Sequence, residues 1–221
     1  MLIYMNNYIF SKKFNKNQII EFLRQNTNAE SGGYKIYDGI GSHYLQNPEE
    51  LTWLITQLKK IEKKIKFNSF LEFGYAIGFT NTILNKFFNF KKIISVDIVG
   101  NVGQCKESFF ANLRFKNIVL LCGDSSADFV KEQISLNSKY DLIFIDGGHE
   151  YNIVKNDYLI ALKNTKKKSV IIFHDIGSDL YDGPKRLWSE IKKNNPNRTL
   201  EYICNKYKAV YGTGILIIDE K

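Results

Sequence analysis

Cysteine is scarce and follows no pattern. The three cysteines, Cys105, Cys122 and Cys204, are odd in number and widely spaced, with no C-x-x-C pair. This excludes a disulfide framework and a zinc knuckle, so a reducing, cytoplasmic setting is expected. Long apolar runs are also missing. Those present, Val170–Phe173 and Gly214–Ile218 among them, fall far short of the roughly 20 residues that a membrane span needs. The opening MLIYMNNYIF carries no positive charge ahead of its short apolar part, so no span and no secretory signal are expected. Repeats, low-complexity linkers and composition breaks are absent too. With 44% hydrophobic and 24% charged residues over 221 positions, the chain has the material for one ordinary core, which excludes intrinsic disorder.

Acidic residues are the minority charge, 23 against 31 basic ones, for a net +8. An excess of that size invites a nucleic-acid partner. Along the sequence, however, the lysines are dispersed over a helix-like segment (Lys59, Lys60, Lys63, Lys64, Lys66) and a loop (Lys166, Lys167, Lys168), without interleaved aromatics. They read as solvated faces and argue against nucleic acid.

The pattern that is present is regular. Asn47 can cap a helix, Pro48 takes its first position and Glu50 falls where a capping box wants an acid. Leu51, Leu54, Ile55, Leu58, Ile61 and Ile65 then follow at helical spacing to about Lys66. Residues 1–46 hold too few apolar side chains to fold alone. They are expected to form an N-terminal extension, with a helix near Asn17–Gln25 and a glycine-containing loop from Ser31 to Gly41, serving as a lid or an oligomer contact. Residues 47–221 are expected to form the catalytic domain. Its strands are predicted at 69–73, 93–97, 118–122, 141–146 and 170–175, separated by helix-length segments near 79–90, 102–114, 126–137, 152–163 and 184–194. Such alternation predicts an α/β fold with a doubly wound, mostly parallel sheet. Segments 199–205 and 211–219 add two strands with no room between them for a helix, and that pair must be antiparallel.

The chemistry-bearing residues stand at the carboxyl ends of these strands. The first strand runs into Glu72-Phe73-Gly74-Tyr75-Ala76-Ile77-Gly78-Phe79-Thr80, where glycine allows a sharp turn and close approach of backbone to a ligand. Asp97 ends the second strand, 23 residues after Gly74, where an acid can accept both hydroxyls of a ribose. Asp124 and Ser125 follow the third strand, and Asp124 serves equally well as cap of the next helix. Asp146-Gly147-Gly148-His149 follows the fourth strand and His174-Asp175 the fifth.

FLEFGYAIGFT, ISVDI, LLCGDSS, YDLIFIDGGHEYNIVKNDY and VIIFHDI, in that order over residues 69–176, resemble the class I S-adenosylmethionine-dependent methyltransferases. Within that class they resemble the metal-dependent sugar O-methyltransferases of the macrocin and mycinamicin type, whose turn likewise departs from D-x-G-x-G-x-G. The resemblance implies a seven-stranded Rossmann-like methyltransferase fold with an antiparallel C-terminal strand. It implies that Glu72, Gly74, Gly78 and Thr80 line the methionine and ribose part of S-adenosylmethionine, that Asp97 holds the ribose and that Asp124 and Ser125 border the adenine. It implies Asp146 and Asp175 as ligands of Mg²⁺ or a similar cation, with Asp146 and His149 catalytic and His149 the general base. The acceptor is then a saccharide or another small molecule, bound by residues 1–46 and 176–186.

Plainer roles compete for several residues. His174 is expected on the opposite face by strand alternation, in a supporting role; His43 reads as a loop histidine, Glu150 as a helix-start acid, Tyr151 as a packing residue, and Trp53 and Trp188 as core. A nicotinamide-dependent oxidoreductase also uses a glycine turn and a ribose acid, although the full G-x-G-x-x-G is missing. Other readings are a methyltransferase for another small molecule or nucleic acid, and a non-catalytic module. The apolar MLIYMNNYIF could pack a homo-oligomer.

Overall fold

The computed structural model describes residues 15–25, 27–28, 33–36, 42–44, 47–76, 78–98, 117–137, 139–204 and 211–219. In chain order these form α1 (Lys16–Gln25), β1 (Thr27–Asn28), β2 (Gly33–Ile36), β3 (Ser42–Tyr44), α2 (Pro48–Ile61), β4 (Ser69–Phe73), α3 (Phe79–Phe88), β5 (Lys92–Asp97) and β6 (Ile118–Cys122). They continue with α4 (Asp128–Leu136), β7 (Tyr140–Ile145), α5 (Tyr151–Lys163), β8 (Thr165–Phe173), α6 (Asp182–Asn194), β9 (Thr199–Cys204) and β10 (Tyr211–Asp219). The helix expected near 102–114 and the MLIYMNNYIF segment lie outside the described residues.

Seven strands make one sheet in the order β6-β5-β4-β7-β8-β10-β9. The first five pair in parallel, while β10 is antiparallel to both β8 and β9. This is the seven-stranded, mostly parallel Rossmann-like methyltransferase fold expected from the sequence. Side-chain alternation splits the core in two. Phe70, Ile93, Leu142, Phe144, Val170, Ile172 and Ile215 face α1, α2 and α3. Leu71, Ile94, Ile143, Ile145, Ile171, Phe173 and Leu216 face α4, α5 and α6. Strands buried on both faces are continuously apolar, which is why they read as runs in the sequence. Trp188 lies in the second cluster, and Trp53 packs on the first while stacking on Tyr202 at 5.7 Å.

Three expectations need correction. The segment read as a glycine-containing loop is partly a sheet, because β2 pairs with β1 and β3 in a small antiparallel unit. Glu50 does not close a capping box. Asn47 accepts from Glu49 N (2.8 Å) and Glu50 N (3.4 Å) as a cap should, but the Glu50 side chain is buried against β10, where Thr213 Oγ1 donates to it. The fourth and fifth strands stop at Ile145 and Phe173, before the acids that were expected to end them. Strand alternation therefore says nothing about where His174 points. The helix α1 buries Ile19 and Leu23 in the same cluster as Leu51, Leu54 and Leu58 of α2.

Candidate active site

Backbone hydrogen bonds carry the ladder one step beyond the strand ends and fix the site's spacing. Gly74 N donates to Val96 O (2.9 Å), Gly123 N to Asp97 O (2.7 Å), Asp146 N to Phe73 O (2.9 Å) and His174 N to Ile145 O (3.1 Å). The residues singled out in the sequence thereby stand side by side along the carboxyl edge, where doubly wound sheets bind ligands.

One half of this edge is the glycine turn. Gly74 has φ +88° and Gly78 φ +79°, with Ala76 at +47° between them. A Cβ on Gly74 would lie 2.0 Å from Asp146 O, so only glycine lets β4 and β7 end this close. Asp97 reaches across and accepts from Ala76 N through Oδ2, tying the turn to the end of β5. Gly78 begins α3 without a side-chain cap, and half-exposed Thr80 lies in its first turn. Asp124 is exposed and accepts from Ser126 N (2.7 Å), which holds its carboxyl below the ordinary range. Its bond closes a turn, and α4 is entered through Ala127. Ser125 Oγ donates to Asp157 Oδ1 (2.5 Å). Glu72 is placed differently from its expected role. It is 1% exposed and accepts from Ser95 Oγ (2.8 Å) and Asn81 Nδ2 (3.3 Å) inside the protein. Burial pushes its carboxyl up to about 8 despite those two hydrogen bonds.

The other half gathers Asp146, His149 and Asp175, whose ligand atoms all lie within 4.8 Å of one another. His149 Nε2 lies 3.0 Å from Asp175 Oδ2, and its ring stacks on Tyr181 at 3.9 Å between centroids. Gly183 at the start of α6 packs on this turn, since a Cβ there would lie 2.2 Å from His149 O. Asp175 has φ +57°, unusual for a residue with a side chain. That twist brings both His174 and Asp175 toward Asp146.

His174 is buried among three acids. Nδ1 lies 3.1 Å from Asp146 Oδ1 and 3.5 Å from Asp175 Oδ1, and Nε2 lies 3.6 Å from Glu50 Oε1, although neither nitrogen is aligned for a hydrogen bond. Burial alone would lower its pKa, but the charges of Asp146, Asp175 and Glu50 outweigh this and raise it well above the ordinary value. Conversely, burial would raise Asp175. The His174 charge and the hydrogen bond with His149 hold it well below the usual carboxylate range. Burial raises Glu50 above the ordinary value, against the pull of His174 and the hydrogen bond from Thr213 Oγ1.

Asp157, Tyr181 and Thr213 of this region were not singled out in the sequence, and Glu50 was named only as a capping acid. Glu50 and Asp157 each had a signal: both are acids on the apolar stripe of their helix, four residues before Leu54 and three after Val154. Asp157 supports Ser125 from α5, and burial pushes its carboxyl up to about 6. Tyr181 and Thr213 had no such signal. His43 lies in β3, paired with Lys35.

Two carboxylates suit a hard divalent cation when their oxygens are close enough to share it, since ligand atoms at 2.0–2.6 Å from one ion are at most about 5 Å apart. Asp146 and Asp175 meet that condition, with His149 beside them.

The family model for the methyltransferase domain matches residues 71–176. No curated protein matches the chain. Among solved structures, the O-methyltransferase from Bacillus cereus in complex with SAH is 16% identical, with a TM-score of 0.58 over 99% of this chain and 98% of that one. The O-methyltransferase TomG from Streptomyces achromogenes, involved in tomaymycin synthesis and solved with SAM, is 11% identical, with a TM-score of 0.59 over 76% and 80%. Spermidine synthase from Thermotoga maritima is 16% identical, with a TM-score of 0.54 over 82% and 64%, so the likeness in shape is one of fold. The family match covers residues 71–176, and the seven-stranded sheet that contains them has the Rossmann-like methyltransferase fold.

Proposed function

We propose that this protein transfers a methyl group from S-adenosylmethionine to a hydroxyl of a saccharide or glycosylated small molecule, with a divalent cation such as Mg²⁺. The observation that carries the reading is the 3.0 Å approach of His149 Nε2 to Asp175 Oδ2, beside Asp146 and adjacent to the glycine turn. An alcohol ionises far above neutral pH, so its oxygen becomes a methyl acceptor only when a base takes the proton in the transition state. His149 is the base in this scheme, its side chain 36% exposed and so open to an acceptor from solution. Asp175 orients the ring and stabilises the imidazolium after proton transfer, and Tyr181 holds the ring plane. The acceptor oxygen forms its bond to the methyl carbon as the carbon–sulfur bond breaks, and the proton stays on His149. Gly74, Gly78, Thr80, Asp97, Asp124 and Ser125 bind the methyl donor, and Glu72 supports the turn from inside. Asp146 and Asp175 would hold the cation, which supplies polarisation of the acceptor oxygen.

The saccharide assignment rests on the sequence resemblance, and the O-methyltransferase reading also on the named relatives of like fold. Isothermal titration with S-adenosylmethionine and S-adenosylhomocysteine, each with and without Mg²⁺, tests the donor site. Micromolar binding is expected. Binding of NADH in place of both would transfer the glycine turn to a nicotinamide enzyme. Methyl transfer to a panel of sugars and glycosides, abolished by excess chelator and by Asp146→Ala, tests the rest; full turnover with chelator removes the cation.

A further inference from the structure

The lysines that look dispersed in the sequence converge in the fold. Because β4, β5, β7 and β8 are parallel, the segments entering them share one edge of the sheet, opposite the active site. Lys63, Lys64 and Lys66 lead into β4, and Lys91 and Lys92 into β5. Lys139 precedes β7, Lys163 ends α5, and Lys166, Lys167 and Lys168 lie at the start of strand β8. Contacts tie these segments together. Lys91 N and Lys92 N both donate to Asn68 O, Lys139 Nζ donates to Lys163 O, and Lys166 Nζ lies 2.9 Å from Asp141, which also accepts from Asn68 N and Ser69 N.

The bland explanation is that cations offset the negative ends of helices, which α2, α3, α4 and α5 all direct to this edge. It accounts for Lys59, which donates to Phe87 O at 2.6 Å and pairs with Glu62, and for Lys139. It does not account for Lys63, Lys64, Lys66, Lys91, Lys167 and Lys168, all exposed and without an acidic partner among the described residues. The acids along the edge are few: Glu62 and Asp141 are paired with lysines, and Asp219 sits opposite Lys168 on β10. Two leucines are exposed at the same edge, Leu136 (69%) at the end of α4 and Leu162 (36%) at the end of α5.

We infer that this lysine-rich edge docks the protein on a membrane surface rich in anionic phospholipid. The described edge is lysine-rich, with Arg198 ahead of β9 as its one arginine, so most of its charges are point charges suited to a diffuse negative surface rather than to bidentate reading of phosphates or bases. Among the described residues no exposed aromatic stands beside them to stack a base. Leu136 and Leu162 add apolar contact at the headgroup level, and no spanning helix is needed or present among the described residues. With β4 five residues long, the active-site edge lies roughly 17 Å farther from the bilayer. It faces the solution and takes its acceptor from there. The docking does not depend on which group the site transfers.

The test is co-sedimentation of the full chain with vesicles of phosphatidylcholine alone and with 30 mol% phosphatidylglycerol, at low and physiological salt. Binding only to the anionic vesicles, weakening with salt, is expected. Each lysine near such a surface is worth roughly fivefold in partitioning, so Lys64→Glu with Lys167→Glu should lower binding by roughly 25-fold or more. Lys155→Glu with Lys185→Glu, which alters the same net charge away from this edge, should lower it far less, and circular dichroism should show both variants folded. Equal binding to neutral vesicles, equal losses in the two variants, or no binding to anionic vesicles overturns the inference. So does tighter binding to single-stranded RNA than to the vesicles under the same salt.

Discussion

Glu50 Oε1 stands 3.6 Å from His174 Nε2, joining the first turn of α2 to the end of β8 underneath the Asp146 and Asp175 carboxylates. The same Glu50 accepts from Thr213 Oγ1 of β10, so one buried side chain braces three elements below the site. Glu50→Gln retains the Thr213 hydrogen bond and the volume, and should change stability by less than about 1.5 kcal/mol. Glu50→Ala leaves Thr213 without its partner and a void beneath His174, and should cost roughly 2–4 kcal/mol. Urea denaturation of the two variants measures both; equal losses would mean that the carboxylate's charge, not its packing and hydrogen bond, is what matters.

Gly74 has no tolerance for a side chain. A methyl group there meets Asp146 O and Gly147 N at under 3 Å, in a backbone conformation that L-residues rarely adopt. Gly74→Ala should destabilise the fold by roughly 3 kcal/mol or more and displace Asp146. Thermal melting checks the first part and a Mn²⁺ titration the second. A variant as stable as the parent would show that β4 and β7 can separate at their ends without cost.

The stacking of Tyr181 on His149 predicts a separation of ring from hydroxyl. Tyr181→Phe keeps the stack and should leave turnover nearly unchanged, whereas Tyr181→Ala frees the imidazole and should lower kcat more than donor affinity. His149→Ala removes the proposed base and should lower kcat by about 10²–10⁴-fold with S-adenosylmethionine affinity preserved. Steady-state kinetics beside donor titration makes the comparison. An unchanged kcat for His149→Ala would end its assignment as base.

Glu72 makes stability depend on pH. Its carboxyl is raised to about 8 in the folded protein, so the folded state holds a proton that the unfolded state releases near 4.5. The neutral form's contribution is fully present below pH 4.5 and is lost as pH rises through about 8, a swing on the order of 5 kcal/mol. Glu72→Gln carries no proton to lose and should flatten that part of the stability profile. Chemical denaturation at pH 5, 7 and 9 distinguishes the two, and identical slopes would assign the dependence to another group.

The alternation of strand and helix over residues 69–219 was legible because it is written in local spacing: apolar runs of five or six residues, helical stripes and glycine turns. The row of acids at the strand ends was legible for the same reason, since a parallel sheet aligns its carboxyl ends whatever the loops do. That row supplied Asp97, Asp124, Asp146 and Asp175, each found along the carboxyl edge. The directions of individual side chains were not legible. Glu72 turns inward and His174 joins the acids, because the strand stops at Phe173 and Asp175 takes a left-handed conformation that no periodicity anticipates.

By itself the sequence determined the sheet, its order of elements and the chemistry gathered at one edge. Only the tertiary structure decided what lies under that chemistry and what lies opposite it. Glu50 meets Thr213 across 163 residues of chain, and the lysines of five separate segments share an edge only once the strands are parallel and in register. Local spacing encodes which face a residue takes within its own element. Which elements become neighbours is settled by burying both faces of the sheet at once.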